Sequence, residues 1–184
     1  MEIEVSAEAK DKQLNRRVAI SVVVFSVAAG LCNIKDGNVV QAMQQAQAAS
    51  VDKWNECQAT RTKLHLEQAS RQTIASLSDP DRAAPVLAGI DSLIAKYEQE
   101  SPALAKEAKE QSDLYDALNV HDDQFDAADA ALATAISVAA VTALTESRKL
   151  LWLSWIFGAF GLFMGLCGFL KLPFHPDLLS TILG

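Results

Sequence analysis

The side chains that could do chemistry are concentrated in one acidic stretch, residues 113–129. Six aspartates occur there without a lysine or arginine among them, and His121 lies in the middle. Carboxylate oxygens are the ligands that hard divalent cations prefer. On a helix, Asp122, Asp126 and Asp129 would share one face. The stretch therefore raises the hypothesis of a divalent-cation site.

A solvated acidic surface beside a membrane is the simpler interpretation of the same residues, and we favour it. Asp122 or Asp123 would then cap a new helix. The spacing of an EF-hand is absent, and His65 and His121 have no cysteine or glutamate at metal-site intervals. We predict no bound metal or other cofactor. The predicted acidic patch consists of Asp122, Asp123, Asp126 and Asp129.

The sequence contains no recognisable catalytic motif. We find no nucleophile–base pair, phosphate-binding loop or metal-binding signature, and therefore predict that the protein is not an enzyme. The formal net charge of −7 argues against nucleic-acid binding, which requires a basic surface. Cys32, Cys57 and Cys167 form no disulfide framework and are expected to be small buried residues.

The dominant element is a block of 21 residues without a charge, residues 150–170. As a helix it is long enough to cross roughly 30 Å of hydrocarbon. Four glycines at steps of three, four and three lie on one stripe of this helix: Gly158, Gly161, Gly165 and Gly168. Such a stripe allows another helix to approach closely. That helix could belong to a second copy or to the same chain.

Two further apolar segments, residues 18–34 and 130–145, are predicted to span the membrane. The first has the minimum length for a span, and the second is rich in alanine, which suits packing against other helices. A cleaved secretory signal is the alternative for the first, because Ser26-Val27-Ala28 has small residues at cleavage spacing. The long acidic leader, residues 1–17, weighs against cleavage, so we predict an uncleaved anchor.

Between these segments, residues 35–129 are predicted to form a long extramembrane hairpin of two antiparallel helices. Apolar residues recur at steps of three and four, which is typical of a coiled coil, and Trp54 is expected to anchor its core. Residues 78–81 (Ser-Asp-Pro-Asp) are the predicted turn. Residues 35–38 and Ser101-Pro102 are predicted interruptions.

The predicted fold is therefore all-α, with three transmembrane helices. Basic residues precede the first span (residues 10–17) and separate the second from the third (Arg148, Lys149), so both groups should lie in the cytoplasm. Residues 35–129 carry a net charge of −8 and should be periplasmic. We predict an inner-membrane protein with a cytoplasmic N-terminal arm, residues 1–17, and an interfacial tail, residues 171–184. A two-span arrangement would leave the second basic group outside.

Residues 54–63 (WNECQATRTK) resemble a Trp-x-x-Tyr-Gln-Ala-x-x-x-Lys signature found in a family of bacterial membrane proteins of unknown function. Cys57 departs from that family's aromatic residue. The segment from Glu146 to Trp152 (Glu-x-Arg-Lys-x-x-Trp), leading into a glycine-rich last span, is also similar. The resemblance implies an N-terminal span, a helical middle and a C-terminal pair of spans, and it implies no activity.

These features favour a structural or interaction protein that self-associates in the lipid bilayer through its glycine stripe and its extramembrane helices. An accessory subunit, bound to a different membrane protein through the same surfaces, is the first alternative. An oligomeric ion-conducting pore with the acidic patch at its mouth is the second, although the spans contain no charged residue.

Overall fold

Three α-helices make up almost all of the described part of the chain. The computed structural model describes residues 2–174, with side chains from residue 12 onward. No strand occurs within that range, which confirms the all-α prediction. Each helix contains a segment long and apolar enough to cross a membrane. The helices are α1 (Glu2–Leu77), α2 (Pro80–Thr145) and α3 (Arg148–Leu170).

The helices divide into two compact units. The three-helix unit comprises residues up to Ala42 and those from Ala117 onward, and the two-helix unit comprises Met43–Asp116. The predicted interfacial tail lies mainly outside the described residues, because the description ends at Phe174.

Helix α1 includes two segments that the sequence did not predict to be part of a continuous helix. Residues 2–17, expected to be an N-terminal arm before the first helix, are helical, and so is the polar segment 35–38. Extending a helix adds one hydrogen bond per residue, whereas starting a second helix requires a new nucleus. Gly37 weakens the helix by only about 1 kcal/mol relative to alanine. A single glycine and its polar neighbours are therefore insufficient to end α1.

Helix α2 likewise continues through Pro102, where an interruption was expected. Proline removes one helical hydrogen bond and disfavours the helix interior. Two contacts from α1 reach the residue before this proline: Cys57 Sγ donates to Ser101 O at 3.3 Å, and Arg61 Nε donates to Ser101 Oγ at 3.1 Å. The helix is thus continuous at a position where the local sequence favours a boundary.

In the two-helix unit, α1 and α2 run antiparallel. Ser50 Oγ donates to Ala108 O at 3.0 Å, and further along α1 the Arg71 guanidinium pairs with Asp91. The predicted turn is present, and Asp79 Oδ1 accepts a hydrogen bond from the backbone N–H of Asp81. This hydrogen bond caps the beginning of α2.

Small side chains form the contact surface of the two-helix unit. Its buried residues are Met43, Ala46, Ser50, Cys57, Thr60, Ala83, Ile90, Ser101 and Ala108. Cys57 is fully buried, whereas Trp54, expected to anchor this core, is 41% exposed. The side chain that lies between the two helices at this level is therefore the Cys57 thiol, which contacts Ser101 of α2.

In the three-helix unit, α3 runs parallel to α1 and antiparallel to α2. Trp155 Nε1 donates to Ser21 Oγ at 2.8 Å, and Ser154 Oγ donates to Ala135 O at 2.8 Å. Phe25, Leu132 and Ala135 form a buried apolar cluster between the helices. A second cluster of Leu14, Val18, Ala139 and Leu151 lies toward the beginning of α3.

Candidate functional site

The glycine stripe of α3 packs against the other two helices of the same unit. Every position of the stripe is occupied: a Cβ added at any of the four glycines would meet Phe25, Leu132, Cys32 or Phe125. The contacts alternate between α1 and α2, so α3 lies in the groove that these two helices form. Packing within one chain, one of the two alternatives left open by the spacing, therefore accounts for all four glycines.

Gly161 has the closest contact with the backbone of another helix. A Cβ at this position would lie 3.0 Å from Ala128 O and 3.1 Å from Leu132 N, both in α2. At Gly165 the neighbouring atom is Cys32 Sγ, at 2.7 Å. A side chain can rotate away from a new methyl group, whereas a helix backbone cannot. Gly161 is consequently the position that sets the distance between α2 and α3.

The predicted acidic patch lies at the far end of the three-helix unit from the beginning of α3, and Asp36 of α1 joins it. The carboxyl groups of Asp36 and Asp122 lie within hydrogen-bonding distance of each other. Asp123 and Asp129 are partly buried and Asp126 is exposed. Sequence reasoning missed Asp36 because it assigned residues 35–38 to a break. The three-span topology does place Asp36 and the acidic patch on the same side of the predicted spans.

Burial and mutual repulsion make these carboxyl groups harder to ionise. Partial burial, followed by the charge of Asp122, raises the pKa of Asp36 to about 6. Burial also raises the pKa of Asp122 and of Asp126. Asp36 Oδ1 is buried without a hydrogen-bond partner in the described structure. A proton shared between Asp36 and Asp122 would relieve this repulsion.

Beside this patch, Gln124 forms a set of hydrogen bonds that the sequence did not indicate and that we call the polar clamp. Its side chain is fully buried, and Nε2 donates to Leu172 O at 2.8 Å and also to Phe174 O. His121 Nδ1 lies 3.1 Å from Gln124 Oε1, so the ring can donate to that oxygen. The clamp holds the segment after α3 against α2. Lys171, which has a φ of 53°, turns the chain in that direction.

The geometry of the patch identifies no metal site. Between residues 12 and 174, no group of three or more His, Cys, Asp or Glu side chains is arranged to hold a metal ion. The three cysteines are buried and free.

A protein-family model matches residues 14–171, and it describes a domain of unknown function, DUF4337. The chain belongs to the DUF4337 family. The match confirms the family membership predicted from the sequence. It begins at Leu14, which packs on α3, and ends at Lys171, which closes α3, so the DUF4337 domain includes every helix contact described above. No curated protein and no solved structure matches the chain.

The carboxyl pair predicts a specific pH dependence for the stability of this DUF4337 domain. Because the folded-state pKa of Asp36 is raised from 3.8 to about 6, its contribution to stability is complete below about pH 4 and is lost as the pH rises through about 6. Asp36→Asn should therefore raise the stability at pH 8. Solvent screening reduces the gain to about 1 kcal/mol.

Thermal unfolding of the detergent-solubilised protein between pH 4 and pH 8 measures this effect. The difference in unfolding temperature between Asp36→Asn and the parent should increase across that range. Asp52→Asn changes an exposed aspartate on the same helix, and its difference from the parent should not vary with pH. A flat difference for Asp36→Asn would show that the pair does not share a proton.

Proposed function

We propose that this protein is a non-enzymatic structural or interaction protein of a bacterial inner membrane that self-associates. The observation that carries the proposal is the construction of the three-helix unit. The four glycines of α3 pack on buried side chains from α1 and α2, and many other large apolar side chains of this unit face outward. Residues 18–34, 130–145 and 150–170 are the proposed spans.

The outer surface of the three-helix unit supports membrane insertion. Water-soluble domains rarely expose large continuous apolar patches. The residues exposed here on α1 and α3 include Ile20, Val23, Val27, Leu31, Trp152, Ile156, Phe160, Phe163, Leu166 and Phe169. Acyl chains would cover such a surface. The edge-to-face pair Trp152–Trp155 at the beginning of α3 is placed as interfacial aromatic residues are.

The charge distribution of the same unit supports the proposed orientation. Arg17 and Arg148 line one cavity and therefore lie at the same end of the unit. Asp36 and Asp122 lie together at the other end. With the basic end in the cytoplasm, the N-terminus is cytoplasmic and residues 35–129 are periplasmic.

The proposed self-association uses the two-helix unit, because the glycine stripe is already occupied within the chain. Val51 and Trp54 are three residues apart on α1 and lie on one helical face. They are 53% and 41% exposed, and the proposed topology places them in water. Both belong to the three-four apolar pattern that is typical of a coiled coil. A second copy of the chain, presenting the same face, would cover them.

Native mass spectrometry of the full-length protein in mild detergent tests this proposal. We expect a discrete homo-oligomer whose dissociation constant rises at least tenfold in Trp54→Ser, because buried tryptophans dominate interface energies. Leu66→Ser removes another exposed apolar residue from the same helix and should leave the oligomer intact. A monomeric parent protein would overturn the proposal. Co-purification of a monomer with another membrane protein would instead favour an accessory subunit.

A further inference from the structure

We propose that the cavity between α1 and the beginning of α3 binds the phosphate group of an anionic phospholipid. This inference rests on the proposed membrane orientation and is independent of self-association. The cavity has a volume of about 180 Å³. It is lined by Gln13, Leu14, Arg17, Arg148, Leu151, Trp152 and Trp155.

The two arginines supply the chemistry of anion recognition. Each guanidinium presents a planar fork of N–H donors that matches two oxygens of a phosphate group. Arg17 and Arg148 come from different helices and reach the same space. Neither forms an ion pair with a carboxylate among residues 12–174. Both side chains are exposed and can therefore reach a ligand.

The apolar residues that line the rest of the cavity favour a lipid over a free anion. Leu14 and Leu151 are buried beneath the cavity, and the indole rings of Trp152 and Trp155 flank it. Trp155 already donates its N–H to Ser21, so its ring offers an apolar face. These groups suit the glycerol and the first carbons of an acyl chain, which inorganic phosphate lacks.

The size and position of the cavity agree with this ligand. Its volume of about 180 Å³ lies below the roughly 300–1,000 Å³ of pockets that hold complete small molecules, so it suits a phosphate group better than a soluble cofactor. Under the proposed orientation it lies at the cytoplasmic surface, where anionic lipids attract basic side chains.

Native mass spectrometry of the full-length protein, titrated with phosphatidylglycerol or with phosphatidylcholine, provides the test. The parent protein should bind phosphatidylglycerol at least roughly tenfold more tightly, given hydrogen bonds from two charged groups. Arg17→Gln combined with Arg148→Gln should abolish that preference. Arg16→Gln combined with Lys149→Gln removes the same charge from adjacent residues outside the cavity lining, and this control should retain the preference.

Two results would overturn the inference. Equal loss of preference in both double variants would show a diffuse attraction of positive charge to anionic lipid. Displacement of the lipid by millimolar inorganic phosphate would show that the cavity binds a free anion. The same spectra report the number of subunits. A further result is a monomeric parent protein whose lipid preference is lost in the Arg17/Arg148 double variant and kept in the Arg16/Lys149 control. That result would overturn self-association and support the lipid site.

Discussion

Gly161→Leu is expected to lower the free energy of unfolding of the three-helix unit by about 3 kcal/mol or more. The first carbon of the new side chain would lie 2.8 Å from Leu132 Cγ and 3.0 Å from Ala128 O. The helix backbone of α2 cannot rotate away, so α2 and α3 must separate. Separation also removes neighbouring contacts along the stripe. Thermal unfolding in detergent, followed by tryptophan fluorescence, measures the loss.

Gly30→Leu is the matched control for this substitution. Gly30 also lies in an apolar helix of the same unit, but a Cβ there has no neighbouring atom within 4 Å. Leucine should be neutral or stabilising by up to about 1 kcal/mol, because glycine is a poor helix former. Equal losses in the two variants would show that close helix approach at Gly161 does not determine the stability of this unit.

Gln124→Leu is expected to destabilise the protein by about 2–3 kcal/mol. Leucine has a similar size but cannot donate a hydrogen bond, so the carbonyl groups of Leu172 and Phe174 lose their common donor. A typical intramolecular hydrogen bond contributes about 0.5–1.5 kcal/mol to stability, and this substitution removes two of them. The segment after α3 should detach from α2. Faster tryptic cleavage after Lys171 reports this detachment, and thermal unfolding reports the loss of stability.

Gln99→Leu tests whether the effect of Gln124→Leu is specific to its position. Gln99 lies on the same helix and is exposed, so its replacement should change the stability by less than about 0.5 kcal/mol. It should also leave cleavage after Lys171 unchanged. If Gln124→Leu behaved like Gln99→Leu in both measurements, the clamp would not hold the end of α3.

Local composition was sufficient to predict the helices and the turn between α1 and α2. Leucine, alanine and glutamine favour helix, and an uncharged run of 21 residues has the length of a helix that crosses a membrane. Asp79-Pro80 marked the turn because aspartate caps a helix and proline suits its first turn. These signals act over a few residues, so they can be read directly from the sequence.

Local signals failed at two predicted interruptions. Ser101-Pro102 favours a helix boundary, yet α2 continues through it and contacts Cys57 and Arg61 of α1 there. The four-residue polar segment after the first apolar run suggested a break, yet α1 continues through it. In both cases the interruption weakened the helix by less than a second helix start would have cost.

The sequence by itself determined which residues of α3 share a face, because a helix has 3.6 residues per turn and the glycine spacing follows that period. It also placed the basic groups and the aspartates on opposite sides of the apolar segments. Only the tertiary structure decided that the glycines meet Phe25, Cys32, Leu132 and Phe125, and that Asp36 joins Asp122. Periodicity defines a contact face but carries no information about the partner. These partners lie far apart in sequence, as do Ser21 and Trp155, which are 134 positions apart.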